Sequence, residues 1–429
     1  MLLYTIAIRC FGLLMRFSAL WNLKARNLMQ GQDLAWATLP TGGENDKSEG
    51  ESKKPPLVWI HCASLGEFEM AKPIASALEN EHPGIRILFS FFSPSGYQNA
   101  ALSKHHVKAY LPLDTQQNAK KWIAHWQPSL AIFIKYDFWF NCIKETLSQQ
   151  IPIHALGVAL RPRHFLFTFF GKPWLKLIRK FQSVGVINKA MLTLAQNKGL
   201  NNSFVFGDPK FNRTVQRLET IQLLPKILLH WVTQNNILIL GSCWPAEISF
   251  LNHYLKINEL PVGWKILIAP HDIRTEHCQE IAKKLEVLKP ILLSNHTHNK
   301  DTDLSNTSTE LGDCVILDSM GTLAECYRHS KIAFIGGAFG KGLHNIIEAA
   351  VFGMPILFGP NHSKFPEAQQ SIDAGFGFSI SNQTEFNETL NRLFFDSNLL
   401  AHCAEISKQF SISQQAHILK FCKSLPKIV

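Results

Sequence analysis

Short, almost uninterrupted apolar runs recur along this chain, each separated from the next by a helix-like stretch. In the first half they read LVWIHCAS, RILFSFF, VKAYLPLD, LAIFIKYD, IPIHALGVAL and SVGVIN. After a pause near residues 213–234 they resume as NNILILGSCW, WKILIAP, CVILDS, KIAFIGG and PILFGP. A strand with apolar residues at every position is covered on both faces, and intervening helices supply the cover, so the runs predict parallel sheets. Two sets of runs imply two doubly wound α/β domains, which 429 residues suffice to build. The expected boundaries are an amino-terminal helix over 1–30, a flexible tether over 31–55 and a first Rossmann-like domain over 56–212. A linker over 213–234, a second Rossmann-like domain over 235–400 and terminal helices over 401–429 follow.

Charge narrows the partners. The 43 Lys and Arg against 33 Asp and Glu leave a net charge of +10. That suits an anionic partner, whether nucleic acid, phospholipid surface or phosphorylated substrate. Nine cysteines are scattered singly without a C-x-x-C pair, which argues for reduced thiols and against a disulfide framework or structural zinc. The opening MLLYTIAIRCFGLLMRFSALWNLKARN lacks an unbroken apolar core and a cleavage site, so it is not read as a secretory signal. On a helix Arg9 and Arg16 share one face and apolar residues cover the rest. This fits a helix lying on or shallowly in a membrane; the alternative is a first helix packed on the domain. The polar stretch TGGENDKSEGESKKP reads as tether, and SNHTHNKDTDLSNTSTELGD as a surface loop of the second domain.

Parallel sheets bind ligands beyond the carboxyl ends of their strands. There the first domain places Ser64, Gly66 and Glu67 at a turn into a helix. Glu67 is either a favourable charge on the helix dipole or a general base. The second domain places Pro270 and His271 at one strand end, and Asp318 through Thr322 at another. Beyond a third strand, six glycines crowd the stretch from Gly336 to Pro360, with His344, Asn345 and Glu348 among them. Free backbone N–H groups at helix starts attract phosphate, and a nearby carboxylate can hold ribose hydroxyls. This is nucleotide chemistry without a G-x-x-x-x-G-K-[ST] loop. Residues 161–181, RPRHFLFTFFGKPWLKLIRKF, interleave basic and aromatic side chains. Such a stretch can bind single-stranded nucleic acid, seat a phosphorylated lipid, or form an ordinary solvated face.

The motifs WIHCASLGE, GSCWPAE, APHDIR, DSMGTLAECYRHSKIAFIGGAF and GLHNIIEAAVFGMPILFGPNHSKF resemble, in order, those of bacterial 3-deoxy-D-manno-octulosonic acid (Kdo) transferases. The resemblance implies a GT-B fold, two Rossmann-like domains facing across a cleft, and an inverting transfer of Kdo from CMP-Kdo to a lipid A precursor, lipid IVA. It implies Glu67 as proton acceptor, Asp137 as transition-state stabiliser and Lys210 of GDPKFN as a further stabiliser. CMP contacts map to Pro270 and His271, to Met320, Gly321 and Thr322, and to Asn345, Ile346, Ile347 and Glu348. His271 stands where many members have arginine, Thr322 where glutamate is common, and Asp137 is one methylene shorter than the family's glutamate. With the resemblance, Arg161, Arg163, Lys176 and Arg179 are expected to serve acceptor and membrane. Localisation at the cytoplasmic face of the inner membrane, no metal or other cofactor and no nucleic-acid partner are also expected. The alternatives are a GT-B enzyme using a UDP-sugar and a non-catalytic lipid-binding relative.

Overall fold

The computed structural model describes residues 2–37, 55–103, 105–219, 224–297, 311–340 and 342–427. The chain forms two compact units, residues 1–213 with 414–429, and residues 214–413. The first holds strands β1 (Leu57–His61), β2 (Arg86–Phe91), β3 (Val107–Tyr110), β4 (Leu130–Ile134), β5 (Ile153–Val158), β6 (Ser183–Val186) and β7 (Ser203–Val205). They form one parallel sheet in the order β3-β2-β1-β4-β5-β6-β7. The second holds β8 (Asn236–Cys243), β9 (Trp264–Pro270), β10 (Ile291–Leu292), β11 (Cys314–Ile316), β12 (Ile332–Ile335), β13 (Ile356–Phe358) and β14 (Gly377–Ser379). Its parallel order is β10-β11-β9-β8-β12-β13-β14.

Each sheet is covered on both faces, as its apolar runs require. Val58 and Ile60 of β1 enter one core and Trp59 the opposite one; Ile237 and Ile239 of β8 part in the same way from Leu238 and Leu240. Strand order reverses at β1/β4 in the first sheet and at β8/β12 in the second. At such a reversal the loops beyond the two strands diverge, leaving a crevice at their carboxyl ends.

The amino terminus forms two helices, Leu2–Ser18 and Leu23–Ala37. Ile8, Ala25 and Leu28 are buried, the Tyr4 hydroxyl donates to Asp114 Oδ2 at 2.6 Å, and Gln32 Nε2 donates to the Leu111 carbonyl at 2.9 Å. One face of this pair is thus part of the first unit. Residues 31–37, expected to open the tether, instead continue the second helix; most of the remaining tether, residues 38–54, lies outside the described residues, as does most of the expected surface loop, residues 298–310.

The expected linker also differs. Helix Pro209–Glu219 occupies its start, and helix Lys226–Gln234 inserts Leu228, Trp231 and Val232 into the second core. The apolar spacing of KILLHWVTQ covers a sheet face, which a linker would not. At the other end, helix Ile418–Ser424 returns to the first unit and buries Ile418, Phe421 and Cys422 beside Leu78. All nine cysteines are free thiols, eight of them buried and Cys10 exposed.

Candidate active site

In the first unit the reversal point gathers Glu67, Asp137 and His61. Glu67 is the third residue of helix Leu65–Glu81, and its Oε2 accepts the Ser64 backbone N–H at 3.2 Å, so the carboxylate caps the helix. The side chain is nevertheless buried, and burial raises its pKa. The positive charge of Lys135 pulls it back down, while the negative charge of Asp137 pushes it further up. A carboxylate moved toward neutrality in this way is a stronger proton acceptor than an exposed one.

Asp137 follows β4 across a tight turn, where Lys135 takes a left-handed φ of 63° that few side chains adopt. Its Oδ2 lies 3.2 Å from His61 Nε2 and accepts Trp139 Nε1–H at 3.0 Å. Asp137 keeps 36% side-chain exposure whereas His61 has none. Lys210 is the second residue of helix Pro209–Glu219, beyond β7, with its backbone N–H donated to Asp208 Oδ1 at 3.0 Å. Arg213 of the same helix pairs with Glu69 at 2.5 Å, fastening it to the helix that carries Glu67.

In the second unit the expected donor residues sort by exposure. His271, Met320, Gly321 and Asn345 are exposed, and Met320 at 83% has no packing role. Thr322 is half-buried, and its Oγ1 has no hydrogen-bond partner among the described residues, an uncommon state for a buried hydroxyl unless a ligand or water completes it. Pro270 is buried at the end of β9, and Ile346 and Ile347 are core side chains, so these last two can offer a ligand only backbone. Glu348 is held up by burial, partly offset by Arg217, whose Nη1 is 3.5 Å from Oε1, and by Asn345. Helices Leu323–Arg328 and Ile347–Val351 are only six and five residues long. Their dipoles are short, so individual side chains must carry most of any recognition.

Three rings cluster at these strand ends. Trp244 stacks on His271 at 4.4 Å and donates Nε1–H to His344 Nε2 at 2.9 Å. That bond requires Nε2 to be unprotonated, and burial, with His271 nearby, lowers the His344 pKa in the same sense. The Gly336–Gly337 pair serves close packing. A Cβ on Gly336 would lie 2.3 Å from the Ser242 carbonyl, and one on Gly337, at φ 95°, 2.4 Å from that of Gly342. The close approach is to the chain's own backbone, with Gly337 N–H donated to Glu247 Oε1 at 2.9 Å.

Of the basic residues at 161–181, Arg161 and Arg163 are exposed. Lys176 is exposed on helix Lys172–Ile178. Arg179 differs: its guanidinium donates to the carbonyls of Gly199 and Lys198 at 3.1 and 3.0 Å, closing the end of a neighbouring helix. The segment's Trp174 meets Tyr4 edge-on at 5.0 Å, so the aromatic run and the amino-terminal helix adjoin. Leu13, Leu14, Phe17, Leu20, Trp21, Phe169 and Phe170 are all more than 60% exposed. Among the described residues no helix is long and apolar enough to cross a membrane, and no cluster of His, Cys, Asp or Glu could hold a metal ion.

Sequence reasoning missed His61, Ser90 and Glu247. The signal was present: a polar residue inside a strand covered on both faces needs a partner, and His61 and Ser90 interrupt two such runs side by side.

The architecture recurs in solved structures. UDP-GlcNAc 2-epimerase from Neisseria meningitidis superposes with a TM-score of 0.58 at 12% identity, over 86% of this chain and 99% of that one. MurG from Acinetobacter baumannii gives 0.53 at 14%, over 86% and 98%. The chain has the α/β GT-B fold. Residues 41–213 match the family model described as 3-deoxy-D-manno-octulosonic-acid transferase. Similar proteins carrying that name include those of Rickettsia felis, at 28% identity over 77% of this chain and 72% of the relative, and Haemophilus influenzae, at 27% over 80% and 79%. That of Aquifex aeolicus is 24% identical over 85% and 91%. Over most of its length the chain is therefore similar to Kdo transferases, and it is a glycosyltransferase.

Proposed function

We propose that this enzyme moves Kdo from CMP-Kdo to a sugar hydroxyl of a lipid A precursor, lipid IVA, at the start of lipopolysaccharide core synthesis. The observation that carries the reading is the pair of carboxylates at the first sheet's reversal point, one buried and raised, the other partly exposed and held by N–H donors. A hydroxyl attacking an anomeric carbon must lose its proton, and Glu67 takes it. The centre under attack gains positive charge, which the ordered Asp137 carboxylate offsets. Lys210 supplies positive charge toward the departing phosphate. The displacement is single and inverting, with no covalent intermediate and no metal, so a chelator leaves turnover unchanged.

Pro270, His271, Met320 through Thr322 and Asn345 through Glu348 are the residues proposed to hold CMP. The Thr322 hydroxyl without a partner supports this, as does the exposure of His271, Met320 and Asn345. The acceptor is proposed to be drawn from the cytoplasmic face of the inner membrane. There the exposed apolar face of the first helices rests in lipid and Arg161, Arg163 and Lys176 meet phosphates. Arg179, engaged with backbone carbonyls, is left to a structural role. Nucleic acid is not proposed as a partner.

The test is to incubate purified protein with CMP-Kdo and lipid IVA and weigh the product. A gain of Kdo mass supports the reading. Transfer from a UDP-sugar instead would assign another GT-B activity, and no transfer from either donor would leave a lipid-binding protein.

A further inference from the structure

We propose that His61 is the positioning residue for Asp137, fixing one carboxylate oxygen so that the other faces the reaction. The kinetic readout rests on the proposed transfer; the geometry does not.

His61 ends β1, fully buried, in register with Ser90 of β2 and Phe133 of β4. Trp59 Nε1, which can only donate, gives its proton to Ser90 Oγ at 2.7 Å. Ser90 Oγ lies 2.8 Å from His61 Nδ1, and His61 Nε2 lies 3.2 Å from Asp137 Oδ2. A carboxylate oxygen can only accept, so Nε2 carries a proton. The neutral ring then has its lone pair on Nδ1, where the single hydrogen of the Ser90 hydroxyl is donated. The bonds run one way, from Trp59 through Ser90 and His61 to Asp137, and no group has to turn for the chain to close.

Trp139 Nε1–H reaches the same oxygen at 3.0 Å. Two donors therefore converge on Oδ2, while among the described residues no hydrogen bond reaches Oδ1. The wired chain ends on a carboxylate that keeps over a third of its side-chain exposure. A partly exposed carboxylate finds its donors in water and has no need of a relay through two strands for stability. A carboxylate that must face a reacting centre in one orientation does have that need.

The test compares the full chain carrying His61→Leu, His61→Gln, Asp137→Asn, and His61→Leu with Asp137→Asn, with CMP-Kdo and lipid IVA each varied up to saturation. His61→Leu should lower kcat by roughly tenfold to a hundredfold, the scale of a small misplacement of a reacting group, with both KM values held. His61→Gln, whose amide N–H reaches the same oxygen, should recover most of that loss. The double variant should be no slower than Asp137→Asn alone, because the two residues act as one unit. Nitrogen NMR of labelled histidine should find His61 protonated at Nε2 and its signal moved by Asp137→Asn. Unchanged kcat in His61→Leu, additive losses in the double variant, or a proton on Nδ1 alone would each overturn the assignment. If the wild-type chain makes no product, the proposed reaction fails, and the NMR result still decides the His61–Asp137 link.

Discussion

Glu67 and Glu247 hold the same station in their two sheets. Each is the third residue of the helix that follows a strand at the reversal of order, and each accepts the backbone N–H of its own helix cap, at 3.2 and 2.8 Å. They differ in what the second oxygen does. Glu247 spends it on Gly337 N–H at 2.9 Å and is completely buried. Two carboxylates set by the same local rule therefore part: Glu247 ties two loops together, and Glu67 makes only the cap bond among the described residues.

The first expected outcome follows from that difference. Glu247→Gln leaves one buried N–H without an acceptor, so unfolding free energy should fall by about 1–3 kcal/mol. CMP affinity should weaken too, because the cap at Trp244 and the turn at Gly337 lose their common tie. Chemical denaturation with calorimetry of CMP binding checks both; an unaltered melt would show the tie to be dispensable.

A second concerns acid. His154 of β5 lies beneath Phe421 with Nδ1 2.7 Å from Ser183 Oγ, and burial pushes its pKa down to about 4. Between pH 6.5 and about 4 the unfolded chain binds a proton that the folded chain refuses, so stability is lost as pH falls through this window. The whole effect is about 3 kcal/mol. The raised carboxylates Asp114, Glu247 and Glu348 act in the opposite direction, losing stability as pH rises above the ordinary carboxylate range. Comparing denaturation of wild type and His154→Leu across pH isolates the histidine: the variant should lack that acid loss, and identical slopes would refute the assignment.

The amino-terminal helix illustrates what the sequence could and could not disclose. Its apolar excess and paired arginines were legible, and Arg9 and Arg16 are indeed exposed. That Tyr4 would reach Asp114, 110 residues away, was not, because the bond depends on tertiary register. The central strands were equally legible, since a doubly covered strand is apolar throughout. The strands overlooked were β7, β10 and β14, of two or three residues, all half-buried or near the rim of a sheet, where partial cover leaves little pattern. At the site, Glu67 was readable from its turn. The His61–Ser90 pairing needed strand register, and the glycines at 336 and 337 needed the neighbouring backbone.

A third outcome tests that helix as part of the fold. Asp114 also accepts the backbone N–H groups of Asn141 and Cys142, both at 2.8 Å, and so caps the helix just beyond Asp137. Tyr4→Phe removes one of its donors and should cost about 1–2 kcal/mol. Removing residues 1–30 should cost more, since it also uncovers Leu113, which lies against Gly12. A truncated protein that melts like the full chain would make the helix a detached anchor.

The fourth separates lipid docking from folding. Replacing exposed Leu13, Leu14, Phe17 and Trp21 with serine should abolish sedimentation with anionic vesicles and raise KM for lipid IVA, leaving the melt and KM for CMP-Kdo unchanged. Neutralising Arg161 and Arg163 should remove the salt-sensitive part of vesicle binding. Arg179→Gln should lower the melting temperature instead, because its guanidinium serves carbonyls. Vesicle binding that survives every one of these changes would contradict the docking face.

The most direct measurement is the single-turnover rate of Glu67→Gln with CMP-Kdo and lipid IVA, followed by product mass. Glutamine keeps the cap on Ser64 N–H and the side-chain volume but cannot take a proton. The account expects the Kdo-bearing product to form roughly two to four decades more slowly than with wild type, with CMP affinity and melting temperature preserved. A Glu67→Gln enzyme that transfers Kdo at the wild-type rate would contradict it.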